Sequence, residues 1–264
     1  MSQAETFHAL HAGPDILVLP NAWDAASAAL MSAAGAKAVA TSSAAVAWAH
    51  GYADGDLLPV PVMLATIAEA VRAATVPLTA DIEGGYTDDL STLAETIRGV
   101  VGAGAVGINL EDGLRDPDLH ARKVEAARKA AAGAGVNLFI NARTDVYLKG
   151  IAQGEAAVAE SIRRAALYQG AGASGIFVPG ARDAGEIQAL VAGIRLPLNI
   201  MGLPGLNAAD LQALGVRRIS SATSLFTAAF GALGKATAAF LADGDCSALY
   251  AAGESMPNFN KLFG

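Results

Sequence analysis

The chain has 264 residues, of which 53% are hydrophobic and 16% are charged. This composition supplies apolar material for one large core, and a length above about 200 residues still suits a single α/β barrel. The net charge of −7 and the 6% aromatic content give neither a basic patch nor a stacking platform for nucleic acid. We therefore expect no nucleic-acid partner.

The number of cysteines and the N-terminal residues indicate the cellular compartment of the protein. Cys246 is the one cysteine, so the chain cannot form an internal disulfide or a thiolate zinc site, and a reducing compartment fits. The first twenty residues lack a basic start followed by a long apolar stretch, and polar residues interrupt the apolar runs well before the ~18 needed to span a bilayer. We expect a cytoplasmic protein without a membrane partner.

Short β-compatible runs recur along the chain and are nearly continuous in apolar character. They cover residues 16–20, 38–43, 77–82, 106–111, 136–143, 175–180, 196–201 and 216–222. Segments with helical spacing lie between them, several closed by the glycines typical of helix C-termini. Strands alternating with helices predict a parallel sheet, and eight such units close a (β/α)₈ barrel. We predict an α/β fold, a TIM barrel, as one domain over residues 1–264.

Residues 223–264 exceed what one closing helix requires. We predict a closing helix and a C-terminal helical extension in this segment. The extension either folds back on its own barrel or docks on a neighbouring subunit, which symmetry would make reciprocal.

Polar residues at the ends of the predicted strands carry the functional signal, because barrel active sites are built from strand C-termini and the loops that follow. Those ends supply the following residues: Asn21, Thr41, Ser42, Ser43, Asp81, Glu83, Glu111, Asp112, Asn141, Arg143, Asp145, Asn199, Ser220 and Ser221.

Three of these acids are predicted to converge. Asp81 and Glu83 are two residues apart in an extended segment and point to the same side, and Glu111 follows the adjacent strand. Converging carboxylates repel each other and take up protons unless a hard divalent cation accepts their oxygens. Mg²⁺ suits this set better than zinc because neither His nor Cys stands beside it. The alternative is that the acids cap the helices that follow.

The remaining strand-end residues leave more than one interpretation open. Arg143 is either a bidentate clamp for a substrate carboxylate or an ion-pair partner of the acids. Asp112 and Asp145 stand beside stronger candidates and favour the capping interpretation, as do Asp88 and Asp89 farther along the loop.

Serines and histidines give weaker signals. Ser42 and Ser43 either donate hydroxyl and backbone groups to a carboxylate or cap the next segment. His50 and His120 are placed on loops over the barrel mouth, with an ordinary exposed histidine as the alternative.

Five segments, in this order, resemble the phosphoenolpyruvate mutase and isocitrate lyase superfamily. They are "PNAWDAASA" (20–28), "TSSAAVAWAHGYADGD" (41–56), "TADIEGGY" (79–86), "GINLED" (107–112) and "NARTDVYL" (141–148). The resemblance implies a (β/α)₈ barrel that binds Mg²⁺, with Mn²⁺ as a substitute. It also implies a small 2-oxo or dicarboxylic acid substrate, an enolate formed by making or breaking a C–C or P–C bond, and a homo-oligomer, a dimer or a tetramer.

The resemblance also implies roles for individual residues. Asp81 resembles the direct metal ligand, and the acids similar to holders of metal-bound water are Asp54, Glu83 and Glu111. Arg143 resembles the residue that contacts the substrate's carboxylate or leaving group. The segment that holds the pyruvyl group is matched by Ser42, Ser43 and Ala44. In the family, a segment near strand seven binds a second carboxylate of the substrate, and Asn199 is the one residue of that segment that this chain keeps.

Departures from the family pattern narrow the expected activity. Isocitrate and methylisocitrate lyases carry a Lys-Arg-Cys-Gly-His segment, and this chain has "EDGLRDPDLHARK", without cysteine, in that region. Arg115 and His120 are therefore the candidate lid residues. Glu111 and Arg143 are the other predicted catalytic residues. We predict a Mg²⁺-dependent lyase that cleaves a C–C bond of a small 2-oxo or 2-hydroxy dicarboxylate. The alternatives are a P–C bond mutase or hydrolase, for which the family's "EDK" reads "EDG" here, and a non-catalytic 2-oxo-acid-binding barrel.

Overall fold

A computed structural model describes residues 1–263 of the chain. Its strands are β1 (Leu17–Leu19), β2 (Asn21–Ala22), β3 (Val39–Thr41), β4 (Leu78–Asp81), β5 (Gly107–Glu111), β6 (Phe139–Arg143), β7 (Gly175–Val178), β8 (Leu198–Met201) and β9 (Arg218–Ser220). Its helices are α1 (Gln3–Ala12), α2 (Ala25–Ala33), α3 (Ser43–Ala49), α4 (Val60–Ala73), α5 (Leu90–Gly102), α6 (Pro117–Gly133), α7 (Gly154–Gly170), α8 (Ala184–Gly193), α9 (Ala208–Ala213), α10 (Ser224–Asp243), α11 (Ser247–Gly253) and α12 (Phe259–Phe263).

The strands form one parallel sheet that closes on itself. Neighbouring strands follow the order β1-β9-β8-β7-β6-β5-β4-β3-β2. The first and last members of that order, β1 and β2, are consecutive in the chain and separated only by Pro20, which has no N–H to donate to a sheet ladder. They are the two halves of one strand, so the nine segments make the eight strands of a TIM barrel, and the predicted fold is confirmed.

Two apolar layers hold the barrel together. The larger one lies between the sheet and the outer helices, where residues such as Ile108, Ile140 and Ile176 are fully buried. The smaller one fills the N-terminal end of the barrel, where Phe7 of α1 meets Phe139 of β6 edge to face at 5.4 Å between ring centroids. The opposite end, at the C-termini of the strands, is left to polar side chains.

The chain after β3 differs from the prediction. The sequence predicts that residues 42 and 43 belong to the strand, but Ser42 is the N-cap of α3 and accepts a hydrogen bond from the Ala45 N–H at 3.5 Å. Serine favours this position because its side-chain oxygen satisfies an N–H of the first turn. As a result, a helix that the sequence did not predict begins directly at the barrel mouth.

The C-terminal segment continues as α10, α11 and α12. Phe226 near the start of α10 is buried and packs edge to face on Trp23 at 5.2 Å, whereas most of the segment is exposed. Among the described residues α10 is the one helix long and apolar enough, by length and composition, to cross a membrane, with a mean hydropathy of 1.5 and Lys235 in its middle.

Candidate active site

A cavity of about 160 Å³ opens at the C-terminal ends of the strands. Eight residues singled out in the sequence line it: Asn21, Ser42, Ser43, Ala44, Asp54, Asp81, Arg143 and Ser220. A larger depression of about 570 Å³ lies between α7 and α8, but none of the predicted site residues reaches it. The cavity at the C-terminal ends of the strands is therefore the place where predicted site residues lie together.

Asp81 is held by its neighbours through one oxygen only. Its Oδ2 accepts hydrogen bonds from the Ser43 hydroxyl at 2.9 Å and the Ser43 N–H at 3.2 Å. Its own N–H donates to Thr41 Oγ1 at 2.9 Å. Its Oδ1 is buried and has no partner among residues 1–263. An unpartnered buried carboxylate oxygen is costly, so this atom suits a cation.

Asp54 and Glu83 occupy different positions around Asp81. Asp54 lines the cavity, and burial together with the charge of Asp81 raises its pKa. Glu83 does not line the cavity, and its Oε2 accepts from the N–H groups of Gly55, at 2.9 Å, and Asp56. Its Oε1 accepts from the Tyr86 hydroxyl at 3.2 Å. Burial raises the pKa of Glu83 to about 7. Glu83 thus fixes the loop that carries Asp54.

Arg143 combines the two arrangements that the sequence left open. Its Nη1 lies 2.6 Å from Glu111 Oε2, and its Nε and Nη2 donate to the two oxygens of Asp145 at 2.6 and 3.1 Å. It also lines the cavity. Burial raises the pKa of Glu111 to about 8 in spite of the nearby guanidinium. Arg143 is therefore an ion-pair partner of two acids that still presents an edge to the cavity.

The capping interpretation is wrong for three of the four aspartates. Asp112 is buried and accepts from Arg164 Nη1 at 2.8 Å and the Tyr168 hydroxyl at 2.6 Å. Asp145 is buried against Arg143, and Asp88 pairs with Lys123 at 2.8 Å. Asp89 does cap α5, accepting from the Thr92 N–H at 2.8 Å. Sequence spacing could not reveal the partners of Asp112 and Asp88, because these partners come from the distant helices α7 and α6, whereas Asp145 pairs with Arg143 two residues before it.

Arg115 does not line the cavity. It pairs with Asp56 at 2.7 Å and Asp88 at 2.8 Å and lies against Gly84, where an added Cβ would come within 2.3 Å of its Nη1. Arg115 thus links the loops that follow β3, β4 and β5, at a position outside the cavity.

The prediction that His120 lies on a loop over the mouth is wrong. His120 is in the first turns of α6, fully buried, with its ring edge to face on Tyr168 at 4.5 Å between centroids. Burial lowers its pKa to about 4. The helix begins before His120 because Asp116 caps it and Pro117, which suits the first helical position, occupies that position. His50, by contrast, is exposed, and its Nε2 bonds Thr66 Oγ1 at 2.9 Å.

Asn199 lies one layer below the cavity. It is buried and donates to Ser220 Oγ at 3.2 Å, and Ser220 lines the cavity in its place. Sequence reasoning also missed the apolar lining residues Leu148, Phe177, Pro179 and Met201. Apolar residues at strand ends resemble core residues in sequence, so only the barrel geometry identifies them.

Backbone strain is concentrated at the same end of the barrel. Among the described residues, four that are not glycine have positive φ: Asp56 (60°), Glu83 (51°), Tyr86 (61°) and Ala222 (50°). This conformation costs free energy in residues with a Cβ and persists where the surroundings impose it, often at functional sites. All four lie in loops at the C-terminal ends of strands.

Comparison with known proteins identifies the family. The model of the phosphoenolpyruvate phosphomutase family matches residues 7–241. The chain belongs to this family. An uncharacterized Mycobacterium tuberculosis protein is 36% identical over 244 residues, covering 91% of this chain and 90% of its own length. A solved Burkholderia cenocepacia structure, provisionally named a phosphonomutase, is 41% identical with a TM-score of 0.85, covering 88% of this chain and 98% of that one.

Relatives with named activities are more distant. An oxaloacetate decarboxylase of Rhodopseudomonas palustris is 28% identical over 174 residues, which are 64% of this chain and 59% of that protein. A phosphonopyruvate hydrolase solved with oxalate and Mg²⁺ shares the fold, with a TM-score of 0.87 and 23% identity over 99% of this chain and 95% of that one. The family model and the curated relatives, which include this decarboxylase and a 2-methylisocitrate lyase of Bacillus subtilis that is 29% identical over 74% of this chain and 65% of that protein, support a catalytic role for this chain.

Proposed function

We propose that the chain is a Mg²⁺-dependent lyase that cleaves a C–C bond, by decarboxylation or a retro-aldol reaction, in a small 2-oxo or 2-hydroxy dicarboxylate. The observation that carries this proposal is the unpartnered buried oxygen of Asp81 at the cavity formed by Asp54, Arg143 and the start of α3.

The donor set fits a hard cation. Asp81 Oδ1 would hold Mg²⁺ directly, since carboxylate oxygen is the ligand that this ion prefers. Mg²⁺ usually keeps several waters, and Asp54, Glu83 and Glu111 are proposed to hold them. When bound, the ion supplies positive charge for the oxyanion that develops as the C–C bond breaks.

The protein's own groups bind and orient the substrate. Ala44 lines the cavity in the first turn of α3, where N–H groups have no intrahelical acceptor and suit a carboxylate. Ser43 is fixed against Asp81, which places this turn beside the proposed metal ligand. Arg143, held in place by Glu111 and Asp145, presents its remaining donors to a second anionic group. The substrate thus fits between two anion-binding groups.

The cavity favours C–C over P–C chemistry. Arg143 is the one cationic side chain among the described residues that line it, and two carboxylates already contact that guanidinium. A phosphoryl leaving group carries up to two negative charges, whereas the carbon dioxide released by a decarboxylation carries none, and the wall of Leu148, Phe177, Pro179 and Met201 suits a neutral product. No lysine lines the cavity within the described residues, so the chain offers no imine-forming group there.

A Mg²⁺-supplemented panel of oxaloacetate, substituted malates and phosphonopyruvate tests the proposal, with products followed by ¹H and ³¹P NMR. We expect pyruvate or a related acid from a dicarboxylate. Phosphate release or conversion of phosphonopyruvate would instead support the P–C reaction, which the similarity to the provisionally named phosphonomutase favours. Tight oxalate binding without any turnover would indicate a binding protein.

A further inference from the structure

A chain of amide side chains crosses the barrel interior directly below the cavity. Arg218 Nη2 donates to Asn109 Oδ1 at 3.2 Å, and Asn141 Nδ2 donates to the same oxygen at 2.9 Å. Asn141 Nδ2 also donates to Asn199 Oδ1 at 3.1 Å, and Asn199 Nδ2 donates to Ser220 Oγ at 3.2 Å. All of these residues are buried, and two members of this hydrogen-bonded series, Asn109 and Ser220, line the cavity.

The direction of every bond in this chain is set by Arg218. Arginine can only donate hydrogen bonds, so the Asn109 atom facing it must be the carbonyl oxygen. Asn141 must then present its amide nitrogen to that oxygen. The usual ambiguity between amide oxygen and nitrogen is therefore removed by one guanidinium group.

The consequence is a donor that points into the cavity. With Oδ1 of Asn109 turned down to Arg218 and Asn141, its Nδ2 faces the other way. This Nδ2 has no acceptor among residues 1–263 and is not enclosed by protein. Asn109 lies opposite Asp81 in the register of β4 and β5, so the free N–H groups lie beside the proposed metal ligand.

Arg218 is unusual for a buried cation. It is 1% exposed, and its Nε and Nη1 have no hydrogen-bond partner in the described chain. No carboxylate within residues 1–263 forms a salt bridge with it. Burying an unpaired charge is costly. We therefore expect Arg218 to have a role below the cavity that a neutral side chain could not perform.

We propose that Asn109 is a substrate-binding residue whose side-chain N–H₂ donates to an anionic oxygen of the substrate, and that Arg218 is the residue that positions it. This inference rests on the proposed function, because it assigns a further contact in the same cavity. The ligand class is a 2-oxo carboxylate or its oxalate-like analogue, whose oxygens can accept from Asn109 and Ala44 together.

Oxalate titration by calorimetry, in saturating Mg²⁺, tests the donor with two variants. Asn109→Asp keeps an oxygen for Arg218 and Asn141 but places a second oxygen where the donor was. We expect it to remain folded, with a thermal midpoint at least equal to that of the parent, and to lose at least about a hundredfold in oxalate affinity. Asn109→Leu removes the donor without adding charge and should lose about ten- to a hundredfold, as for a hydrogen bond to a charged group.

The inference would be overturned if both folded variants bound oxalate within about twofold of the parent, because loss of a hydrogen bond to an ion should change the affinity by more than that. This outcome would leave the proposed function standing. A parent protein that does not bind oxalate at all would overturn both. Oxalate binding by the parent that is weakened in both variants, without turnover of any substrate, would support Asn109 and count against the lyase.

A double-mutant cycle tests the role of Arg218. If Arg218→Met acts through Asn109, the double variant with Asn109→Leu should bind oxalate about as well as Asn109→Leu alone, because coupled residues are not additive. Two independent, multiplying losses would contradict a positioning role. If Arg218→Met does not fold, Arg218→Lys, which keeps the charge but cannot donate from the same place, is put through the same cycle with the same two outcomes.

Discussion

At the scale of single residues, Asp81 concentrates the proposed chemistry on one atom. Its two carboxylate oxygens have different surroundings: Oδ2 accepts two bonds from Ser43, and Oδ1 accepts none from the described residues. A fixed carboxylate with one free oxygen is preorganised for a ligand, because the side chain loses no further freedom on binding.

Asp81→Asn is expected to abolish most Mg²⁺-dependent activity. Loss of an outer partner of a metal ligand typically costs 10–100-fold, so loss of the ligand itself should cost at least about a hundredfold in kcat/KM. The rate is measured on the substrate that the panel identifies. Asp89→Asn is the matched control, since asparagine caps a helix as well as aspartate does. Unchanged activity in Asp81→Asn would remove this residue from the metal site.

His120 makes the stability of the fold sensitive to acid. Its folded-state pKa of about 4 lies below the ordinary value of 6.5, so between these pH values the unfolded chain binds a proton that the folded chain does not. Stability is therefore unaffected above pH 6.5 and falls as the pH drops toward 4, by up to about 3 kcal/mol.

The His120→Leu variant should lose less stability than the parent when the pH falls from 6.5 toward 4. Neither ring nitrogen has a partner in the described chain, so an apolar replacement leaves no new unsatisfied group. Urea unfolding at pH 7 and pH 5 measures the difference, with Arg122→Leu, an exposed position on the same helix, as the control. An equal pH dependence in parent and His120→Leu would contradict the assignment.

At the scale of elements, an ion pair fastens helix α7 to the end of strand β5. Asp112 follows β5, and its carboxylate binds Arg164 and Tyr168 of α7 as well as the N–H of Asp145 at 2.9 Å. Through Asp145, the same group supports Arg143 at the cavity. The packing of a peripheral helix and the orientation of a proposed substrate-binding residue thus depend on one carboxylate.

Asp112→Ala is expected to destabilise the protein by about 3–5 kcal/mol, the usual cost of breaking a buried ion pair by removing one partner, although Arg164 keeps its second pair with Glu160. Glu125→Ala removes the exposed pair with Lys129 and should cost no more than about 1 kcal/mol. Urea unfolding of both variants provides the comparison. Similar losses in the two would show that burial of Asp112 contributes little.

At the scale of the whole molecule, the C-terminal segment leaves apolar surface uncovered. Phe230, Leu233 and Leu241 of α10 are 45%, 56% and 76% exposed, and Tyr250 of α11 is 79% exposed. Exposed apolar side chains grouped in one segment are typical of an interaction surface. This arrangement favours docking on another subunit over folding back on the same barrel.

We expect a homo-oligomer, a dimer or a tetramer, in solution. Leu233→Glu combined with Leu241→Glu should shift the mass measured by light scattering toward the monomer, because charges are excluded from apolar interface cores. Lys235→Glu, on the same helix, is the control for altered charge. A monomeric parent protein at micromolar concentration would contradict the prediction.

The sequence by itself determined the order and number of strands and the end of the barrel where chemistry belongs. Both follow from local signals: apolar runs at barrel spacing, and polar residues where those runs stop, as at Asp81 and Arg143. The start of α3 escaped prediction because Ser42 and Ser43 continue an apolar run whose strand ends one residue before them.

The tertiary structure alone decided which polar residues share the cavity. Glu83 and Glu111 turn to loop N–H groups and Arg143, His120 is buried under α7, and Arg218 reaches Asn109 from the far side of the barrel. The physical reason is that a strand's sequence fixes only which side of the sheet a side chain faces. In these examples the partner lies 28 to 109 positions away along the chain, and barrel closure brings the two together.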